Sequence, residues 1–434
     1  MPDLSTDTVG IVGIVALLVL MGLRVPVGVS MMIVAVAGFA AITTPEASLA
    51  RFGQDAFREA SNFGLSVVPM FVLMGMFLAN SGLGADVYQA MDRFARRLRG
   101  GLAVSTIAAC SLFGAVNGSA VAGATTMSLV AVPEMERHGY DRGFAGALTA
   151  AGSTLGSLIP PSALLVLYGI LTEFPIGDVL LAALLPGILV TVVLMVTAYL
   201  MVIRDPSIAP PVNAPPNITI GRALLLLWPV PVLFGISMGG LYGGLFTPSE
   251  AGAVGAFLAL VYALATRRLT RAELSDAVSR SVRISAMVFL LVIAGKMFGY
   301  FLTVTRIPQD LARWVADLAV PAQLILVVVF VIYFVLGALM DESAILVIMT
   351  PLALPIVLAL GYDGIWFGVL SIMMLLTGLI TPPVGIITFV VSGVANIPIR
   401  IMYWRIMFFS AAVAVCVVAV ICFPQIALYL PNRT

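Results

Sequence analysis

Two short polar breaks and two proline pairs carry whatever chemistry this sequence can perform. Asn117-Gly118-Ser119 interrupts one apolar stretch and Met340-Asp341-Glu342-Ser343 interrupts another, each between two apolar arms. Polar groups are costly in hydrocarbon, so such tips must meet water, a ligand or protein partners at depth. There, half-helix N-termini present N–H groups to an anion, while freed carbonyls and hydroxyls can hold a small cation. Asn117 and Ser119 read equally as a capped turn. Asp341 and Glu342 read also as an N-cap and first-turn acid of the following arm, a role compatible with binding.

The second kind of break is TLGSLIPPS (154–162), matched by LTGLITPPV (376–384). Proline lacks the amide proton and clashes with the preceding turn, so a Pro-Pro pair inside an apolar run unwinds the helix and frees carbonyls. Irregular backbone at membrane depth is tolerated only where it lines a cavity or is buried in protein. Two such breaks at equivalent places point to a binding site. Thr154, Gly156 and Pro160 in the first, with Thr377, Gly378, Thr381 and Pro382 in the second, are the candidate cation-holding positions beside Asn117, Ser119 and Asp341. Ser153, Ser157 and Ser162 add hydroxyl oxygens. Hydroxyls in membrane helices also bond back to their own backbone, so each has two readings.

Other chemistry has little to work with. His138 is the sole histidine, and it falls beside a turn. That excludes a histidine-rich metal site and makes an intramembrane protease built on Ser119 depend on one distant residue. Cys110, Cys416 and Cys422 lie in apolar runs without a C-x-x-C pair and read as buried thiols. No G-x-x-x-x-G-K-[ST] loop is present. Lys296, the sole lysine, lies in an apolar span, where it pairs with a carboxylate, snorkels or serves function. Glu250, after Thr247-Pro248-Ser249, reads as an N-terminal helix acid. A net charge of +1 with dispersed basic residues gives nucleic acid no footprint.

The elements that must position these residues are set by a lipid solvent. Of 434 residues 61% are hydrophobic and only 10% charged, well below the roughly quarter-charged make-up of a soluble domain. Apolar runs of about 20 residues recur from end to end. The fold class expected is an all-α polytopic membrane protein of two inverted-topology repeats, each of about five spans plus a re-entrant helical hairpin. A shift of 222 residues brings the halves into register: 22–26 falls on 244–248, Gly139-Tyr140-Asp141 on Gly361-Tyr362-Asp363, and 156–161 on 378–383. Repeat one is 1–204, with a hairpin at about 101–135 and a broken helix at about 143–171. A cytoplasmic Pro-rich linker follows at 205–221. Repeat two is 222–434, with a hairpin at about 319–357 and a broken helix at about 365–395. The remaining spans are expected at 9–23, 25–43, 64–81 and 178–203, then 223–240, 248–266, 284–303 and 402–428. An odd number of spans per half inverts the second. Placing both termini in the periplasm puts 16 arginines on cytoplasmic segments and 5 on outer ones, as the positive-inside rule requires.

These residues resemble the large membrane subunit of tripartite ATP-independent periplasmic (TRAP) transporters over nearly the whole chain. The stretches that carry the resemblance are 158–189, GGLYGGLFTPSEAGAVGAF (239–257), MDESAILVIMTPLALPIVLALGYD (340–363) and GLITPPVGIITFVVSG (378–393). The resemblance implies a sodium-coupled importer of a small organic acid in the bacterial inner membrane. A transport domain holding both hairpins and both broken helices would move against a scaffold as an elevator. It implies a small four-span membrane subunit and a periplasmic substrate-binding protein as partners, co-transported sodium ions and no organic cofactor. Sodium sites would lie at the tips, Asn117, Gly118, Ser119 and Asp341, and at the adjoining breaks. The first tip reads NGSA, less rich in serine than the family pattern. The nearest rival is a stand-alone sodium/dicarboxylate symporter with similar hairpins and no binding protein.

Overall fold

The computed structural model describes residues 5–95, 100–210, 218–317 and 320–433. The expected basic residues Arg96, Arg97 and Arg99, the middle of the Pro-rich linker (211–217) and the first residue of the second hairpin, 319, lie outside the described residues.

Every regular element among the described residues is helical. Eight of those helices are long and apolar enough to cross a membrane, and several shorter apolar helices accompany them. The chain is thus an all-α, multi-pass membrane protein. The first two spans are helices of 17 and 16 residues, Thr6–Gly22 and Val27–Ile42. At 1.5 Å per residue these are about 24–26 Å long, a little short of a 30 Å hydrocarbon core. Where one span was expected at 284–303, a single 34-residue helix runs from Arg271 to Val304. Its polar first turns continue the helix because Thr270 and Glu273 form a reciprocal capping box.

A pair of helices stands at each position where a hairpin is expected. The first consists of Gly101–Asn117 and Ala120–Arg137, and the second of Ala322–Gly337 and Glu342–Ala359. The first broken helix comprises Arg142–Ser153, a single turn at Leu155–Leu158, and Ala163–Thr172; the second comprises Gly364–Ile380 and Ile386–Ala395. Adding 222 to the start of Ala120–Arg137 or Arg142–Ser153 gives the start of Glu342–Ala359 or Gly364–Ile380. Local chemistry repeats with the bounds: Ser119 and Asp341 cap the second hairpin arms, while Asp141 and Asp363 cap the broken helices.

Three helices were not foreseen as elements: Pro45–Ala60, Leu83–Ala95 and Ile307–Asp317. Pro45–Ala60 is amphipathic in an inverted sense. Ser48 and Glu59 face the protein, while Leu49 and Phe57 are 64% and 75% exposed. Such a helix suits a site where lipid lies outside and polar partners lie within.

Cys110 and Cys416 are buried as expected, whereas Cys422 is exposed, because it ends its helix one residue before the Phe423 C-cap.

Candidate functional site

Gly118, with φ at +68°, lets the first tip turn in two residues, because the left-handed region carries no Cβ penalty for glycine. A side chain there would also meet the Pro161 carbonyl oxygen at 2.5 Å. Asn117 is buried and donates from Nδ2 to the Ser119 carbonyl at 3.1 Å. The Ser119 hydroxyl accepts from the Ala122 amide at 3.4 Å, so it does cap the second arm. The hairpin approaches the broken helix backbone to backbone: a Cβ on Gly114 of the first arm would lie 2.7 Å from the Gly156 Cα, and one on Gly156 would lie 2.9 Å from the Ser119 oxygen. Gly156 is therefore at the tip, as its candidacy requires. Thr154 and Pro160 are buried in the same break, and the Pro160–Pro161 bond is cis.

The second tip sits on the second break in the same way. A Cβ on Gly378 would meet the Phe334 carbonyl oxygen at 2.4 Å, and the Gly385 amide donates to the Ala338 oxygen at 3.3 Å. Asp341 caps its helix, accepting from the amides of Ser343 and Ala344 at 3.0 and 3.3 Å. The Pro382–Pro383 bond is also cis. The two breaks differ in cover, however. Residues 153–161 are all buried, whereas Asp341 and Pro383 are exposed and Pro382 and Ser343 are half-buried. The expectation that both tips are enclosed at depth holds for the first and not for the second, where only Glu342 turns inward.

Glu342 does more than occupy a first turn. It is buried, and its Oε1 accepts a hydrogen bond from the Ser157 hydroxyl at 3.2 Å, while no partner meets its Oε2. Ser157 in turn accepts from the Ala120 amide at 3.0 Å. One serine of the first break therefore joins the N-terminus of the first hairpin's second arm to the acid of the second tip. The two partners are 185 residues apart in sequence, so no local pattern could reveal the link.

The remaining hydroxyls are partly committed. Thr154 donates to the Ala151 oxygen, Thr377 to the Met373 oxygen and Thr381 to the Thr377 oxygen, so each bonds back to its own helix. Thr381 also lies 2.9 Å from the Ser410 hydroxyl on the span Ile399–Cys422. A hydroxyl that donates its one proton keeps two lone pairs, so back-bonding leaves these oxygens able to accept or to ligate. The donor set is all oxygen, of the kind that suits a hard monovalent cation. Among the described residues no group of three His, Cys, Asp or Glu side chains is placed to hold a metal ion.

His138 and Ser119 cap opposite ends of the 18-residue helix Ala120–Arg137, about 27 Å apart, which separates the parts a serine protease would need to join. Glu250 forms a capping box with Thr247. Lys296 pairs with two carboxylates, Glu173 at 3.2 Å and Glu59 at 3.5 Å.

Residues 14–426 match the family described as the tripartite ATP-independent periplasmic transporter, DctM component. The chain belongs to that family. The TRAP large permease of Pseudomonas aeruginosa named for C4-dicarboxylates is 32% identical over 378 residues, spanning 87% of this chain and 88% of the relative. The Vibrio cholerae large permease named for sialic acid is 31% identical over 411 residues, spanning 94% and 95%. Among solved structures, the Alcanivorax borkumensis YdaH transporter superposes with a TM-score of 0.65 at 14% identity, covering 88% of this chain and 90% of its own, a likeness of fold. A TRAP large permease is a transporter rather than an enzyme, and the tips and breaks are to be read as places that bind and release.

Proposed function

We propose that this TRAP permease is the membrane subunit of a sodium-coupled secondary transporter that imports a small organic acid across the bacterial inner membrane. A periplasmic substrate-binding protein delivers the acid, and a small four-span subunit completes the membrane part. The halves 1–204 and 222–434 are inverted repeats, and both hairpins with both broken helices move as one elevator body against the other spans. The observation that supports this reading best is the Ala120–Ser157–Glu342 connection, because it ties the two tips to each other through a break. Two sites joined this way can respond to cation and cargo together, which a coupled carrier needs if it is not to dissipate its gradient. The relatives named for C4-dicarboxylates and sialic acid support an organic acid as cargo.

Reconstitution into liposomes with candidate binding proteins and the small subunit tests the reading. Uptake is expected only when an inward sodium gradient and the binding protein are both present. Uptake without the binding protein would favour a stand-alone symporter, and uptake driven by ATP or indifferent to sodium would sink the mechanism.

A further inference from the structure

Away from the tips, a cavity of about 360 Å³ lies between two groups of elements. One wall is the inverted amphipathic helix Pro45–Ala60 with the long helix Arg271–Val304. The other is the end of Ala163–Thr172 with the second arm Glu342–Ala359. That arm contributes Val347, Thr350, Pro351, Leu354 and Pro355, a single helical face. The floor is apolar and tight, since a Cβ on Gly295 would meet Val347 at 2.3 Å and Leu171 at 3.4 Å. Val347 is five residues along the arm from Glu342, or about 8 Å. The cavity is thus an antechamber that stops one and a half turns short of the second tip.

Its charged lining sorts by commitment. Arg51 donates to Asp55 at 2.7 Å and its guanidinium lies 4.2 Å over the Tyr300 ring, so it is fully engaged. Lys296 is not. Its contacts are longer, and its two carboxylates differ sharply: Glu59 is 5% exposed, whereas Glu173 is 79% exposed. Glu59 is the fixed counter-ion, because leaving it buried without a cation would be costly. Glu173 is an exposed one, in a solvent-screened pair of little strength. Glu173 is also held at φ +62°, a region that glycine and asparagine occupy far more readily than glutamate. The corresponding helix end in the second half is Asn396, at φ +52°.

We propose that Lys296 is a docking point for the cargo's carboxylate in this antechamber, and that Glu173 is an internal place-holder which the arriving carboxylate displaces. The exchange is one carboxylate for another on a single ammonium, and the displaced Glu173 carboxylate, 79% exposed, is left to be solvated by water. The apolar floor then holds the docked acid short of the tip until the two walls shift. A carboxylate as ligand rests on the organic-acid reading above. The assay below uses neither a sodium gradient nor a binding protein, so its failure is distinguishable from failure of that reading.

Thr303 lines the cavity and is exposed. Thr303→Cys in a Cys422→Ser background, in the purified full chain, is labelled with the neutral reagent N-ethylmaleimide. Succinate is the probe and its uncharged diamide the control. A site of millimolar affinity predicts that roughly 10 mM succinate slows labelling about tenfold while the diamide does not. Glu173→Gln should lower the succinate concentration needed for half protection by several-fold. Lys296→Gln combined with Glu59→Gln, which leaves no buried charge unmatched, should abolish protection without changing the unprotected rate. Equal protection by the diamide, no protection by succinate, or protection surviving in the double variant each overturns the proposal.

Discussion

Thr381 shows how much of this site turns on one oxygen atom. Its hydroxyl reaches the Thr377 carbonyl at 2.6 Å and Ser410 at 2.9 Å, while Ser119 accepts only a long bond at 3.4 Å. If these oxygens also ligate sodium, Ser119→Ala and Thr381→Ala should each raise the sodium concentration for half-maximal uptake about tenfold, equivalent to ~1.4 kcal/mol. Folding should survive, since loss of an N-cap costs about 1 kcal/mol. Uptake titrated against sodium checks this, and an unchanged midpoint in both variants removes them from the site. The residue types were legible in the sequence because polar residues between apolar arms stand out. Their partners were not: Ser410 lies 29 residues from Thr381, and Ser157 lies 185 residues from Glu342.

Elements meet here through glycine, and that decides where substitution is tolerated. Gly378 packs against the Phe334 and Ala338 backbone, which cannot rotate out of the way as a side chain can. Gly378→Ala should therefore force the second hairpin off its break and destabilise by about 1–3 kcal/mol, as overpacking does. Gly393, in the next helix, has nothing within 4 Å of the position of a Cβ. Gly393→Ala should be neutral or stabilising by up to ~1 kcal/mol from helix propensity. Thermal unfolding of the purified protein compares the two, and an unchanged Tm for Gly378→Ala would deny the close approach. The hairpins and proline breaks could be read from sequence to within a few residues. Pro45–Ala60 could not, because its fully buried residues, Ser48 and Glu59, are polar while Leu49 and Phe57 face outward, against the pattern by which a soluble helix is recognised.

For the molecule as a whole, the proposed inversion has a direct consequence at Leu23 and Leu245, which are 222 residues apart and 70% and 78% exposed. In a Cys422→Ser background, Leu245→Cys should react with a membrane-impermeant thiol reagent in intact cells, and Leu23→Cys only after permeabilisation. Reaction of both from one side would refute opposed halves. By itself the sequence determined the lipid solvent, the helical class and the positions of the four breaks. Composition, hydropathy and proline act locally along the chain, so their effects can be read without knowing what lies opposite. Only the tertiary structure decided that Glu342 turns inward to Ser157, that the first break is covered while the second is open, and that Lys296 stands between a buried and an exposed carboxylate. Each of these depends on which distant helix packs alongside, and packing between apolar helices of similar composition is set by shape, which hydropathy does not encode.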